Sequence, residues 1–232
     1  MTEILAAAPS SLAAWAAVAD ATAIGSGIEL LDIGCGAGEF CGLAAARGAS
    51  VHGLDAAPVA IDHARRAVPE GDFQVGRMEG LPWPDASFDV VTGFNSFQYA
   101  LDIDAALGEA RRVSRAGGRL AICKWGRPED NEFFALLIAL GAGRRESLRA
   151  TDPVDQAVRR TGLAVYDTGE VAVAMEMADA AALESALISA GALQGPCDQP
   201  QRRRLLAIAA QFRRPGGSYR LTSRLRYLVA TT

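Results

Sequence analysis

Lysine is almost missing from this chain: of 23 basic residues in 232, only Lys124 is a lysine, and the rest are arginine. Histidine is scarce too, with His52 and His63 alone. The four cysteines, Cys35, Cys41, Cys123 and Cys197, form no C-x-x-C pair and have no histidine at ligand spacing, so no metal site is expected. Four unpaired thiols fit a reducing compartment, and a cytoplasmic location is expected. No apolar run approaches the roughly 18 residues of a membrane helix, and no charged start precedes a signal-like apolar core, so neither membrane nor secretion is expected. A net charge of −4 and a pI near 5.3 oppose a broad basic face for nucleic acid. Arg202-Arg203-Arg204 and Arg213-Arg214 read as a solvated helix face.

Half of the residues are hydrophobic, enough at this length to bury a full core, and one domain over 1–232 is expected. Helix periodicity and start signals place helices over Ser10–Ala21, Phe40–Arg47, Pro58–Val68 and Ile103–Ser114, the last ending at Gly117-Gly118. Short apolar runs place strands at Glu29–Ile33, Ser50–Asp55, Phe73–Val75, Phe88–Gly93 and Arg119–Lys124. Strands alternating with helices predict a doubly wound parallel α/β sheet. Beyond it lie an amphipathic helix over Glu129–Gly141, helices over Pro153–Thr161, Ala178–Ala190 and Gln201–Phe212, and strands over Ala164–Met175 and Tyr219–Ala230. Segments 127–162 and 178–213 are expected to form a helical lid insert.

Leu30-Leu31-Asp32-Ile33-Gly34-Cys35-Gly36-Ala37-Gly38-Glu39-Phe40 couples a buried strand to a glycine loop. Three alternate glycines let the backbone turn sharply beneath a ligand. A dinucleotide loop needs G-x-G-x-x-G, yet the sixth place holds Glu39 counting from Gly34 and Cys41 counting from Gly36. No Gly-Lys-Ser/Thr follows, so the Walker pattern is absent as well. An acid in front of the loop, Asp32, suits a ligand with a cationic amino group and no phosphate, and S-adenosylmethionine is such a ligand. The next strand ends in Asp55, at the spacing where α/β nucleoside sites place their ribose-binding acid.

With these blocks the chain resembles the class I S-adenosylmethionine-dependent methyltransferases, in the small-molecule branch that includes the ubiquinone and menaquinone biosynthesis enzymes. The resemblance extends through Leu81-Pro82-Trp83-Pro84-Asp85-Ala86-Ser87-Phe88-Asp89, Arg112-Val113-Ser114-Arg115-Ala116-Gly117-Gly118, and Tyr219-Arg220-Leu221 with Arg226-Tyr227-Leu228. It implies a Rossmann-like, mostly parallel seven-stranded sheet closed by an antiparallel strand pair. It also implies transfer of a methyl group by direct displacement to an oxygen, nitrogen or carbon of a small molecule, releasing S-adenosylhomocysteine. Gly34, Cys35, Gly36 and Gly38 would pass beneath the cofactor, Asp32 would hold its amino group, Asp55 its ribose, and Ala56 would touch adenine. Met78, Glu79 and Phe94 complete the expected cofactor set. Arg77 stands where the family often has an acid, which leaves the adenine amino contact to Glu79 or to backbone groups.

The acceptor pocket is expected where the fourth strand ends, with Asn95, Phe97, Gln98 and Trp125 binding substrate and Gln98 and Tyr99 acting on it. Aromatic faces attract a sulfonium, and amides orient an acceptor. Neither histidine sits where a base is needed; the sulfonium methyl is electrophilic enough that alignment alone supplies much of the rate. Asp130 and Glu132 are further candidate proton acceptors. The expected partners are the acceptor alone, with the protein a monomer or homodimer. Two other readings share the pocket: a cofactor-cyclising or charge-only enzyme, and a binding protein without turnover.

Overall fold

The structure, a computed structural model, describes residues 11–141, 152–189, 193 and 195–232. Ser10 of the first expected helix, residues 142–151 of the expected lid, and 190–192 and 194 lie outside them. Two compact units divide the chain. Of the described residues, the larger comprises Ala13–Lys124, 152–170 and Arg226–Thr232; the smaller holds 11–12, 125–141 and those of Val171–Leu225.

In the larger unit, β1 (Glu29–Ile33), β2 (Ser50–Asp55), β3 (Asp72–Val75), β4 (Phe88–Phe94) and β5 (Ser114–Trp125) alternate with helices α1 (Ser11–Ala21), α2 (Glu39–Ala46), α3 (Pro58–Ala67) and α4 (Ile103–Val113). Strands β6 (Ala164–Met177) and β7 (Tyr219–Thr231) complete a seven-stranded sheet of order β3-β2-β1-β4-β5-β7-β6. The β1–β2, β1–β4, β2–β3 and β4–β5 pairs are parallel. β7 runs antiparallel to β5, with Gly117 and Gly118 bonding Thr232 at one end and Gly126 bonding Arg224 at the other. Strand order reverses at β1, so the crevice that such sheets offer a ligand opens beyond the carboxyl ends of β1 and β4.

Local chemistry sets the element ends. The Asp102 carboxylate caps α4 by accepting the Ala105 N–H at 3.0 Å, and Pro58 opens α3. Gly117-Gly118 does not end α4 as expected. The helix stops at Val113, β5 begins at Ser114, and Gly117 (φ +76°) lies inside an irregular stretch where the β4–β5 register slips between Phe88 and Val90. The Leu81–Asp85 segment is bound to α4: Arg112 donates to the Leu81 and Trp83 carbonyls and to Asp85, while Glu109 accepts the Leu81 N–H.

One correction falls on the lid. Helix α6 (Pro153–Arg160) belongs to the larger unit, where Val154, Ala157 and Val158 are buried with Leu107, Val113, Leu120 and Ile122. It is scaffold, not lid. The smaller unit has its own core of Phe133, Leu136, Leu183, Leu187, Leu205 and Leu221, contributed by α5 (Glu132–Ala139), α7 (Ala180–Ser189), α8 (Gln199–Ala209) and β7. The helix expected over Glu129–Gly141 is split into a 3-10 turn, Pro128–Asp130, and α5. Asn131 causes the break. Its side chain caps α5 through the Phe133 and Phe134 N–H groups and takes the Ser223 hydroxyl at 2.7 Å. Among the described residues no helix is long and apolar enough to cross a membrane.

Candidate functional site

The loop after β1 bends through left-handed glycines, Gly34 (φ +75°), Gly36 (φ +56°) and Gly38 (φ +86°). It is tied to the end of β2. The Gly34 and Cys35 N–H groups donate to the Leu54 carbonyl at 2.7 and 3.0 Å, and the Gly36 N–H donates to Asp55 Oδ2 at 3.0 Å. Asp55 Oδ1 accepts the Ala57 N–H at 2.9 Å. The glycines have different reasons to be glycine: a Cβ on Gly34 would fall 2.4 Å from Ser96 Cβ, and one on Gly38 3.0 Å from Ala64 Cβ. A Cβ on Gly36 would meet nothing closer than Glu39 Oε2 at 3.9 Å. Gly36 therefore combines a left-handed backbone with open space above it.

Asp32 lies beneath the loop, 2% exposed. In the β1–β4 register it stands opposite Thr92, whose hydroxyl donates to Oδ1 at 2.7 Å. Burial pushes its carboxyl pKa up to about 7, and the nearby Asp55 and Glu39 add to the rise while the Thr92 hydrogen bond opposes it. A cation arriving near Asp32 would restore its charge.

A cavity of about 220 Å³ opens at the ends of β1, β2 and β3. Of the expected residues, Gly34, Asp55, Ala56, Met78, Glu79 and Tyr99 line it, joined by Arg77 and Leu101. Asp32, Cys35, Gly36, Gly38 and Phe94 are not among its walls. Cys35 is buried, and burial pushes its thiol well above the ordinary range, so the side chain is packing and only its backbone shapes the loop. Glu79 is a clamp: Oε1 accepts the Leu101 N–H at 2.7 Å and Oε2 pairs with Arg77 at 3.4 Å. Burial alone would raise its carboxyl, but the Leu101 N–H and neighbouring backbone donors outweigh burial and leave the pKa lowered.

The segment after β4 departs from expectation. Phe97 does not face an acceptor: it is 0% exposed in the core with Leu107 and Ile122, because the 3-10 turn Phe97–Tyr99 carries its ring inward. Phe94 packs on Phe40 with ring centroids 4.4 Å apart. Asn95 adopts a left-handed conformation (φ +49°), unusual for a residue with a side chain, while its N–H donates to Cys123 O at 2.7 Å. Gln98 is half-buried, and Tyr99 is 63% exposed on the cavity rim. Trp125 falls in the smaller unit, its ring edge-on to Phe134 at 6.2 Å. Glu132 accepts the Thr222 N–H there, and His52 lies between Glu29 and Asp72 as part of the scaffold.

Two residues escape sequence reasoning. Thr92 would be found only by setting β1 against β4 in register, where a hydroxyl in an apolar strand meets an acid. Ser96 is buried between Gly34 and Gly93, its hydroxyl without a hydrogen-bond partner among the described residues; nothing in the pattern marks it.

Residues 31–122, from within β1 to within β5, match the family described as a methyltransferase domain. That stretch is 92 of the chain's 232 residues, and over it the chain is similar to methyltransferase domains. The chain is 40% identical over 92 residues to malonyl-[acyl-carrier protein] O-methyltransferase of Serratia marcescens, covering 40% of this chain and 36% of that protein. It is 31% identical over 132 residues to demethylmenaquinone methyltransferase of Tropheryma whipplei, covering 55% of each. The matched stretch thus spans about half or less of these relatives. Among solved structures, the YcgJ protein of Bacillus subtilis superposes with a TM-score of 0.66 at 19% identity, covering 94% of this chain and 97% of that one. The cyclase SpnF gives 0.61 at 20% identity, covering 94% and 79%. Both likenesses concern the fold.

Proposed function

We propose that the protein transfers a methyl group from S-adenosylmethionine to a nucleophilic atom of a small molecule and releases S-adenosylhomocysteine. The observation that carries this reading is the joint between loop and acid: Gly36, left-handed and open above, bonds the Asp55 carboxylate at the lip of the cavity. The residues fit the cofactor. A cavity of about 220 Å³ is smaller than the roughly 300–1,000 Å³ of a whole ligand pocket and suits a nucleoside portion, the remainder extending over the loop. When bound, the cofactor supplies an electrophilic methyl group on a sulfonium.

The chain's own groups bind and align. The Asp55 oxygens each hold one backbone N–H and keep lone pairs for two ribose hydroxyls. Met78 and Leu101 offer apolar faces to a flat base. Asp32 ionises against the ligand's ammonium. Gln98 and Tyr99 remain the residues we assign to the acceptor, through orientation of the nucleophile in line with the carbon–sulfur bond. The names of the two relatives support a small acceptor or one carried as an acyl group. We place the protein in the cytoplasm, on the strength of its unpaired thiols.

Calorimetry tests the reading. S-adenosylmethionine and S-adenosylhomocysteine are expected to bind at micromolar levels and NAD and ATP far more weakly; NAD binding as tight would overturn it. With a cognate acceptor the nucleoside product should be S-adenosylhomocysteine, whereas methylthioadenosine would mark cyclisation.

A further inference from the structure

A second cavity, of about 170 Å³, lies in the larger unit where α6 meets β5, β6 and β7. It shares no residue with the cavity at Asp55. Its lining includes the apolar Ile122, Val158, Val165 and Leu228. With them stand the charged Lys124, Arg159, Arg226 and Asp155, the last the lining's one carboxylate, and Thr168 and Tyr227.

The cations differ in what they have left to give. Lys124, buried to 5% exposure, donates to Asp152 at 2.5 Å and Asp155 at 2.9 Å, so its charge is answered within the protein. Among the described residues Arg226 has two carboxylate neighbours, Asp155 and Glu170, each at 3.6 Å. That is beyond hydrogen-bond reach, and its guanidinium makes no hydrogen bond among the described residues. Arg159 makes neither an ion pair nor a hydrogen bond among them. Two guanidiniums, each with five donors, thus border a cavity that is also lined by hydrocarbon side chains.

Size and charge choose the ligand. At about 30 Å³ per water the cavity has room for roughly five or six waters, or for one acid of a few carbons. Guanidinium donors match a carboxylate in bidentate geometry, whereas Asp155 in the lining and Glu170 beside Arg226 repel a dianion such as phosphate more strongly than a monoanion. We infer that this cavity is a binding site for a short-chain monocarboxylate. Arg226 grips the carboxylate, Arg159 is a second donor, and the hydrocarbon lies against Ile122, Val158 and Leu228. The site stands apart from the methyl-donor site and does not depend on that reading.

Saturation-transfer NMR on the full chain tests it, with butyrate, butyramide and inorganic phosphate as probes at matched ionic strength. Butyrate should bind, with butyramide and phosphate at least roughly tenfold weaker, the scale of a lost charge-assisted bidentate pair. Arg226→Gln and Arg159→Gln should each weaken butyrate by about tenfold and leave S-adenosylhomocysteine binding unchanged. Arg159 is exposed, so its variant keeps the test valid if Arg226→Gln fails to fold. No butyrate binding at about 10 mM, equal binding of butyramide, tighter binding of phosphate, or undiminished binding by Arg159→Gln would each overturn the proposal.

Discussion

The carboxyl ends of β1 and β2 and the segment after β4 sit in the same sheet, yet they are finished differently. At the first, each acid is already held: Asp55 by two backbone N–H groups, Asp32 by Thr92. At the second, the Gln98 and Tyr99 side chains make no hydrogen bond among the described residues, and Tyr99 stands in solvent. A preorganised set of acceptors binds one ligand shape without further ordering, while unpaired amide and phenol groups adapt to whatever is brought to them. On the proposed reading, the difference teaches that the nucleoside half of the site is specified by the fold and the acceptor half by side chains.

Substitutions can break this contrast. The largest effect is expected from Phe97→Ala, which removes a fully buried ring and should cost roughly 3–5 kcal/mol of stability, seen as a lower denaturation midpoint. A variant as stable as the parent would return Phe97 to the acceptor surface. Next comes Gly36→Val, expected to keep a native circular dichroism spectrum and lose S-adenosylhomocysteine affinity by roughly a hundredfold or more, since a branched side chain both resists φ +56° and fills the open space. Gly34→Val should instead fail to fold, because Ser96 occupies its side-chain position. If the two behave alike, the loop does not separate packing from binding.

The alternation of strands and helices, the loop and the acid at the end of β2 were legible because each depends on local rules: apolar runs, glycine at a turn, an acid closing a strand. Phe97 was misread because an aromatic beyond a strand end looks the same whether it points to ligand or to core; the 3-10 turn decides it, and no periodicity marks a three-residue turn. Likewise Gly117-Gly118 looks like a helix stop, yet it relieves a slip in the β4–β5 register that only the paired strand reveals. The sequence alone groups α6 with the lid, because the helix that buries it, α4, is distant in the chain. Pairing across strands hid Thr92 in the same way.

Smaller effects sharpen the comparison on the tight side. Asp55→Ala should weaken cofactor binding by at least tenfold, as expected from the roughly 1.5–3 kcal/mol of a hydrogen bond to a charged group, and Asp55→Asn by less, since one acceptor oxygen survives. Asp32 gives a pH signature. Its folded pKa, about 7, lies above the ordinary 3.8, so the folded state holds the proton more tightly and stability falls as pH rises from about 4 to 7. Binding of the ligand's ammonium has the opposite slope, because it requires the ionised form: affinity for S-adenosylhomocysteine should rise severalfold from about pH 6 to 7.5. Asp32→Asn should flatten both slopes. Thr92→Val, by removing the hydrogen bond that lowers the pKa, should move the binding midpoint to higher pH. Calorimetry across this range that showed no slope in the parent would mean Asp32 does not meet the ligand's ammonium.

On the open side the expected change in cofactor affinity is nil, and that is what makes it informative. Gln98→Ala removes a half-buried amide that holds no structural hydrogen bond among the described residues, so folding and S-adenosylhomocysteine binding should match the parent. Turnover with a cognate acceptor should fall by about fivefold, the scale of one lost orienting hydrogen bond near 1 kcal/mol. Tyr99→Phe separates the two duties of the tyrosine: it keeps the ring at the cavity rim and deletes the hydroxyl, so a loss of turnover without a loss of affinity assigns the hydroxyl to the acceptor. The split between rate and KM carries the decision. A fall in turnover with KM unchanged means alignment in the transition state; a rise in KM alone means the residue only holds the acceptor. If both variants turn over like the parent, orientation of the nucleophile lies elsewhere, and the segment after β4 is a wall of the nucleoside cavity and nothing more.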